Sequence, residues 1–121
     1  MCIRVLLAED AAIMRRAIRN LLSNREDIEI VGEATTLSEA IQMSAELRPD
    51  EIIFDLHIMT EGANERLPVG PKLLAISFAN DDEAIALAGK IGVAKLLDKM
   101  ELANELIQTI LELAPVGSRP S

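Results

Sequence analysis

Apolar and polar positions along this chain follow two periods in turn, and the switches between them mark successive segments. Residues 3–8 form a near-continuous apolar run, the pattern of a strand buried on both faces. Residues 11–23 place Ile13, Ala17 and Leu21, with Ile18 and Leu22, at helical spacing, and Arg15, Arg16 and Arg19 fill the positions between them. Asp10 is a candidate cap for that helix. Residues 28–34 alternate and include β-branched side chains, which predicts a strand with Gly32 as a candidate bulge. Thr36-Leu37-Ser38-Glu39 reads as a capping box, and the helix it opens carries Leu37, Ala40, Ile41, Ser44 and Leu47 until Pro49 stops it.

The second half repeats the scheme. Residues 51–56 predict a strand. Residues 57–71 are the least regular part, because Gly62, Pro68, Gly70 and Pro71 break any long element, and at most a short helical turn is expected there. Residues 72–78 predict a strand. Asn80-Asp81-Asp82-Glu83 supplies an N-cap and an acid at the third helical position for a helix to about Ile91, which Gly92 ends. Residues 95–98 predict a short strand. Residues 101–114 predict a final helix with Leu102, Leu106, Ile107, Ile110 and Leu113 on one face, and residues 115–121 read as a loose tail or the start of a linker. The order is βα repeated, with the helix after the third strand weak. Such alternation implies an α/β domain over residues 1–114, with a parallel sheet covered by helices on both faces.

Composition narrows the function. Half the residues are apolar, and Phe54 and Phe78 are the only aromatics, so the core is aliphatic. The formal net charge of −8 argues against direct binding of nucleic acid, which needs clustered Lys and Arg, and against an anionic membrane surface. Cys2 is the single cysteine, so no intrachain disulfide forms and a reducing cytosol is the simplest setting. Met1-Cys2-Ile3-Arg4 leads straight into the first strand with no room for a signal peptide, and no apolar run is long enough to cross a bilayer. A soluble, cytoplasmic protein is expected.

Four of the apolar runs end in polar residues of related chemistry. The first runs into Glu9-Asp10, the third strand into Asp55, the fourth into Ser77, and the fifth through Asp98 into Lys99. In a parallel sheet these ends share one edge, the edge where open α/β sheets bind ligands. Three carboxylates, a hydroxyl and an ammonium suit a divalent metal and a phosphoryl group. Each residue also has a plainer reading. Glu9-Asp10 can serve as a helix cap and dipole partner, Asp55 and Lys99 as surface charges, and Ser77 means something only beside the others. His57, the only histidine, cannot form a zinc site alone, and Cys2 has no basic neighbour to activate it.

The stretch Ile3-Arg4-Val5-Leu6-Leu7-Ala8-Glu9-Asp10 resembles the opening of bacterial response-regulator receiver domains. So does Leu47-Arg48-Pro49-Asp50 followed by Ile52-Ile53-Phe54-Asp55-Leu56, and Ser77 and Lys99 fall in the family's order. The resemblance extends over residues 3–113, and the first half is most similar to receivers of the NarL or LuxR type. It implies a flavodoxin-like, doubly wound, five-stranded parallel sheet of order 2-1-3-4-5 with a short or missing third helix. It further implies that Asp55 is the phosphoacceptor, taking a phosphoryl group from a sensor histidine kinase or phosphotransfer protein. Glu9, Asp10, Asp55 and the backbone carbonyl of His57 would then hold Mg²⁺. Lys99 would pair with one phosphoryl oxygen and the Ser77 hydroxyl with another. Ser77 would pass the signal to a downstream protein through the face of the fourth helix, fifth strand and fifth helix. On this resemblance the protein is a two-component signalling switch and no enzyme beyond its own phosphorylation and dephosphorylation; a homodimer is compatible with it.

The chain departs from the family pattern in places. Ile58-Met59 stand where Met-Pro is usual, and Asp55 to Ser77 is shorter by roughly two helical turns. Phe78 replaces a small residue, Leu96 an aromatic, and Met100 a proline. The short third-helix region, Phe78 and Leu96 favour an alternative, a pseudo-receiver that binds or dimerises without phosphorylation, whereas the intact Glu9, Asp10, Asp55, Ser77 and Lys99 set favours the phosphoacceptor. A further alternative is the receiver half of a longer DNA-binding regulator. A flavodoxin-like cofactor protein is disfavoured, since FMN needs a phosphate-binding loop and flanking aromatics.

Overall fold

Burial on both faces selects the central strands. β1 (Ile3–Ala8), β3 (Glu51–Asp55) and β4 (Lys72–Ser77) carry the most buried stretches, while β2 (Ile28–Ala34) and β5 (Lys95–Asp98) are the edges. The five strands form one all-parallel sheet in the order β2-β1-β3-β4-β5. The computed structural model describes residues 2–60, 67, 69–78 and 81–114. Four α-helices connect and flank the strands among those residues: α1 (Ala12–Leu22), α2 (Leu37–Leu47), α3 (Asp82–Ile91) and α4 (Leu102–Leu113). The α/β class and strand order expected from the sequence are both present.

Side-chain alternation along the strands divides the core into two layers. Ile3, Val5, Leu7, Ile53, Leu74, Ile76 and Leu97 face α1 and α4, meeting Ile18, Leu22, Leu102, Leu106 and Ile110. Leu6, Ala8, Ile52, Phe54 and Ala75 face the other way, meeting Leu37 and Ala40 of α2 and Ala88 of α3. Between β3 and β4 the described residues hold no α-helix. A 3₁₀ turn, Leu56–Thr60, stands there instead, and its Leu56 and Ile58 are buried in the second layer. The rest of the irregular segment, residues 61–66 and 68, lies outside the described residues, as do Asn80 and the tail 115–121.

Local signals act as expected at several junctions. Thr36 caps α2, accepting the Glu39 N–H at 3.2 Å, while Glu39 Oε1 accepts the Thr35 N–H at 3.1 Å. Asp81 caps α3, accepting from Ala84, and Gly92 closes it at φ 84°. The β1–β2 register slips by one residue, Val5 facing Ile30 and Leu6 facing Gly32, so the bulge is real. A Cβ on Gly32 would come within 2.8 Å of Leu47 Cδ1, so that side chain would have to shift to admit a larger residue. Asp10, by contrast, is not the cap of α1. Ala11 occupies that position and no side chain caps the helix.

One burial was not legible in the sequence. Glu51, at the start of β3, is 0% exposed, and neither carboxylate oxygen has a hydrogen-bond partner. Alternation along β3 puts it on the α1/α4 face with Ile53, paired laterally with Val5 and Lys72. Burial, and secondarily the adjacent Asp50 charge, push its carboxyl from near 4.5 to about 8. Folding therefore holds a proton that the unfolded chain releases. The stabilisation is complete below the lower value and is lost as pH rises toward the upper one. Glu51→Gln, neutral throughout, is expected to gain on the parent by ~2–4 kcal/mol between about pH 5 and about pH 9. Urea titrations followed by circular dichroism check this; a constant difference across that range would contradict it.

Candidate functional site at the carboxyl edge of the sheet

Register carries the candidate residues to one edge. Ala8 pairs with Phe54, Asp55 with Ile76, and Ser77 with Asp98, so Glu9-Asp10, Asp55, Ser77 and Lys99 emerge from four adjacent strands in sequence across the sheet. Glu9 prolongs β1 by donating its N–H to Ala34 O at 3.0 Å, and its side chain is fully buried. Its Oε1 accepts the Ala11 N–H at 3.2 Å. Asp10 is exposed.

Asp55 closes β3 and turns back on its own backbone, Oδ1 accepting the His57 N–H at 3.0 Å. Lys99 opens the 3₁₀ turn Lys99–Glu101, which Asp98 fixes by accepting the Met100 N–H at 2.8 Å. The Lys99 ammonium donates to Asp55 Oδ2 at 3.0 Å and lies 3.1 Å from Glu9 Oε2. Both contacts are ion pairs. Both contacts are shielded, the Lys99 and Asp55 side chains being 5% and 12% exposed.

Carboxylate oxygens of Glu9, Asp10 and Asp55 all lie within 4.8 Å of one another. Three carboxylates against the one Lys99 ammonium leave two excess negative charges in this volume. Burial, with the Asp55 charge second, raises the Glu9 carboxyl above its ordinary value; the Lys99 bond and charge oppose that rise. A cluster of oxygen donors with excess negative charge suits a hard divalent cation. Ser77, half-buried, lines a shallow cavity of about 240 Å³ beside it, with Leu56, His57, Asp81 and Leu87. His57 is exposed, and its backbone N–H serves Asp55.

Two contacts at this edge were not foreseen. Arg15 donates from Nη1 to the carbonyls of Glu9 at 2.9 Å and Asp10 at 3.2 Å, tying down the turn that presents both acids. Glu33 pairs with it and with Arg19. The available signal was a basic residue one turn inside α1, facing back over the turn. The Phe78 ring lies with its centroid 5.0 Å from Lys99 Nζ. Leu96, which stands at the family's aromatic position, is half-buried in the layer facing α2 and α3.

The description "Response regulator receiver domain" matches residues 5–111. The transcriptional regulatory protein LiaR of Bacillus subtilis is 31% identical over 116 residues, covering 89% of this chain and 54% of that protein. A protein-glutamate methylesterase/protein-glutamine glutaminase of Caldanaerobacter subterraneus is 43% identical over 56 residues, covering 46% of this chain and 15% of that protein. The chain thus spans about half, or much less, of the length of these curated relatives. The signal receiver domain of the response regulator NarL from Mycobacterium tuberculosis superposes with a TM-score of 0.76 at 21% identity, over 92% of this chain and 94% of that one.

Removing the shared cation should expose the cost of the crowding. Lys99→Met is expected to destabilise the fold by about 3–5 kcal/mol near neutral pH, because two buried carboxylates lose their counter-ion. The loss should shrink on acidification, as the Glu9 carboxyl, raised by burial, takes up a proton, and adding Asp55→Asn should recover part of it. Urea titrations of the three proteins at several pH values test this; a pH-independent loss would count against it.

Proposed function

The chain belongs to the response regulator receiver domain family, and from that premise we propose that it accepts a phosphoryl group on Asp55 and relays it as a change in a protein-binding surface. The observation that carries this reading is the Lys99 ammonium bridging Asp55 and Glu9 beside a three-carboxylate cluster. In the proposed step the Asp55 carboxylate attacks the phosphorus of a phosphohistidine on a histidine kinase or phosphotransfer protein. The O–P bond forms as the P–N bond breaks, and the nitrogen keeps its electron pair. Glu9, Asp10, Asp55 and the His57 carbonyl would hold Mg²⁺, a fit supported by the all-oxygen donor set. Bound there, the ion supplies the positive charge that lets an anionic acceptor meet an anionic donor.

The chain's own groups do the rest. Lys99 exchanges a carboxylate oxygen for a phosphoryl oxygen, and the Ser77 hydroxyl hydrogen-bonds another. Buried Glu9 and the Arg15-anchored turn keep the metal ligands in place without reorganisation. Movement of Ser77 would reach α3, β5 and α4, the surface we assign to a downstream protein. We place the protein in the cytoplasm; among the described residues no helix is long and apolar enough to cross a membrane. A second reading, the receiver part of a longer regulator, is favoured by the 54% coverage of LiaR. Residues 115–121 would then begin a linker.

Incubation with acetyl phosphate followed by intact mass measurement tests the proposal. A single phosphoryl adduct is expected with Mg²⁺, none without it, and none in Asp55→Asn. An adduct that survives Asp55→Asn would move the acceptor elsewhere. No adduct, together with no Mg²⁺ binding by calorimetry, would leave the domain as a phosphorylation-independent binding module.

A further inference from the structure

Phe78 is out of place by ordinary packing rules. It is one of two aromatic residues; Phe54 is fully buried, whereas Phe78 is 61% exposed. Core packing therefore does not explain it. Its ring centroid lies 5.0 Å from Lys99 Nζ, inside the roughly 6 Å reach of a cation–π contact. The ring is open to solvent on one side, and the Lys99 side chain on the other is only 5% exposed. Two contacts of the ammonium go to Glu9 and Asp55, and the ring occupies a further side. Phe78 follows Ser77 directly, so the ring and the hydroxyl leave the same strand end.

We infer that the Phe78 ring is a cover over the Lys99–Asp55 pair that selects between phosphoryl donors and shields the acceptor from water. The inference rests on the reading of Asp55 as phosphoacceptor. For Lys99 to meet an incoming phosphoryl oxygen, the donor must enter beside the ring. A small donor has no surface with which to displace it; a protein-borne phosphohistidine can move it by contacts of its own. The reverse loss is hindered in the same way. In hydrolysis a water oxygen attacks phosphorus, the bond to the Asp55 oxygen breaks, and the carboxylate leaves with its electron pair, while the water protons pass to phosphate and solvent. The ring narrows the path of that water. Phe78 is thus a specificity-determining residue at the rim, and its removal should speed both directions for small reactants.

The cover can be tested without phosphorylation. Acetic anhydride labelling, read by mass spectrometry after proteolysis, should modify Lys99 slowly in the parent and in Phe78→Tyr. In Phe78→Ala it should be faster by roughly threefold to thirtyfold, the span of a cation–π contact converted to a rate. Exposed Lys90 and Lys95 should label alike in all three proteins and so verify the fold. With acetyl phosphate and Mg²⁺, Phe78→Ala should gain and lose its adduct faster than the parent, with unchanged Mg²⁺ affinity by calorimetry. Its gain with a phosphohistidine carrier protein should be smaller. Equal Lys99 labelling in parent and Phe78→Ala overturns the cover, whatever the adduct data show. Faster labelling with no adduct in either protein keeps the cover and overturns both donor selection and the phosphoacceptor reading. Equal acceleration with small and protein-borne donors overturns selection alone.

Discussion

A single ammonium group makes the carboxyl edge of this sheet tenable. Parallel strands deliver their ends to one side, and here those ends bring Glu9, Asp10 and Asp55 within a few ångströms of each other, two of them buried. Unpaired, such carboxylates would repel one another and resist burial. Lys99 contacts both buried members and is itself almost closed to solvent. The arrangement is still short of positive charge. That shortfall suits the cluster to a divalent cation, because an ion entering it meets oxygen ligands whose repulsion is already built in.

Holding that strained edge requires a stiff support, and the two aliphatic layers provide it. Each of the fully buried Ile and Leu side chains of β1, β3 and β4 contributes about 1.5–3 kcal/mol relative to exposure. The contributions are spread over both faces of the central strands, and a strand sandwiched in this way cannot slide to relieve the charges at its tip. Arg15 stiffens the turn before α1, which lacks a side-chain helix cap, by holding the carbonyls of Glu9 and Asp10 from inside the helix.

The sequence disclosed whatever depends on near neighbours along the chain. Periodicity separated strands from helices, Thr36 to Glu39 announced the start of α2, and Gly32 marked the bulge. The convergence of Glu9, Asp10, Asp55 and Lys99 was also legible, since parallel topology and strand length suffice to derive it. What escaped depended on contacts between distant segments. Asp10 looked like a cap because its type and position suit one, yet the helix begins at Ala12 and leaves Ala11 at the capping position. Glu51 looked like an ordinary polar start to a strand, and only the packing of β3 between β1 and β4 buries it. The ring of Phe78 over Lys99 joins two strands by side chains alone and leaves no local trace.

The alignment of β3 with β4 bears on how such a domain tolerates change. Asp55 and Ser77 are set by the β3–β4 ladder, Asp55 beside Ile76 and Ser77 one step beyond, and the path between the strands has no part in that alignment. Leu56 and Ile58 keep the second layer filled at the mouth of the crossover. Length beyond the turn that carries His57, whose N–H holds Asp55, therefore bears little on the alignment of the two strand ends. A shorter connection costs less entropy to close and brings β3 and β4 together sooner during folding. Insertions and deletions can accumulate beyond that turn while Asp55 and Ser77 stay where the sheet puts them.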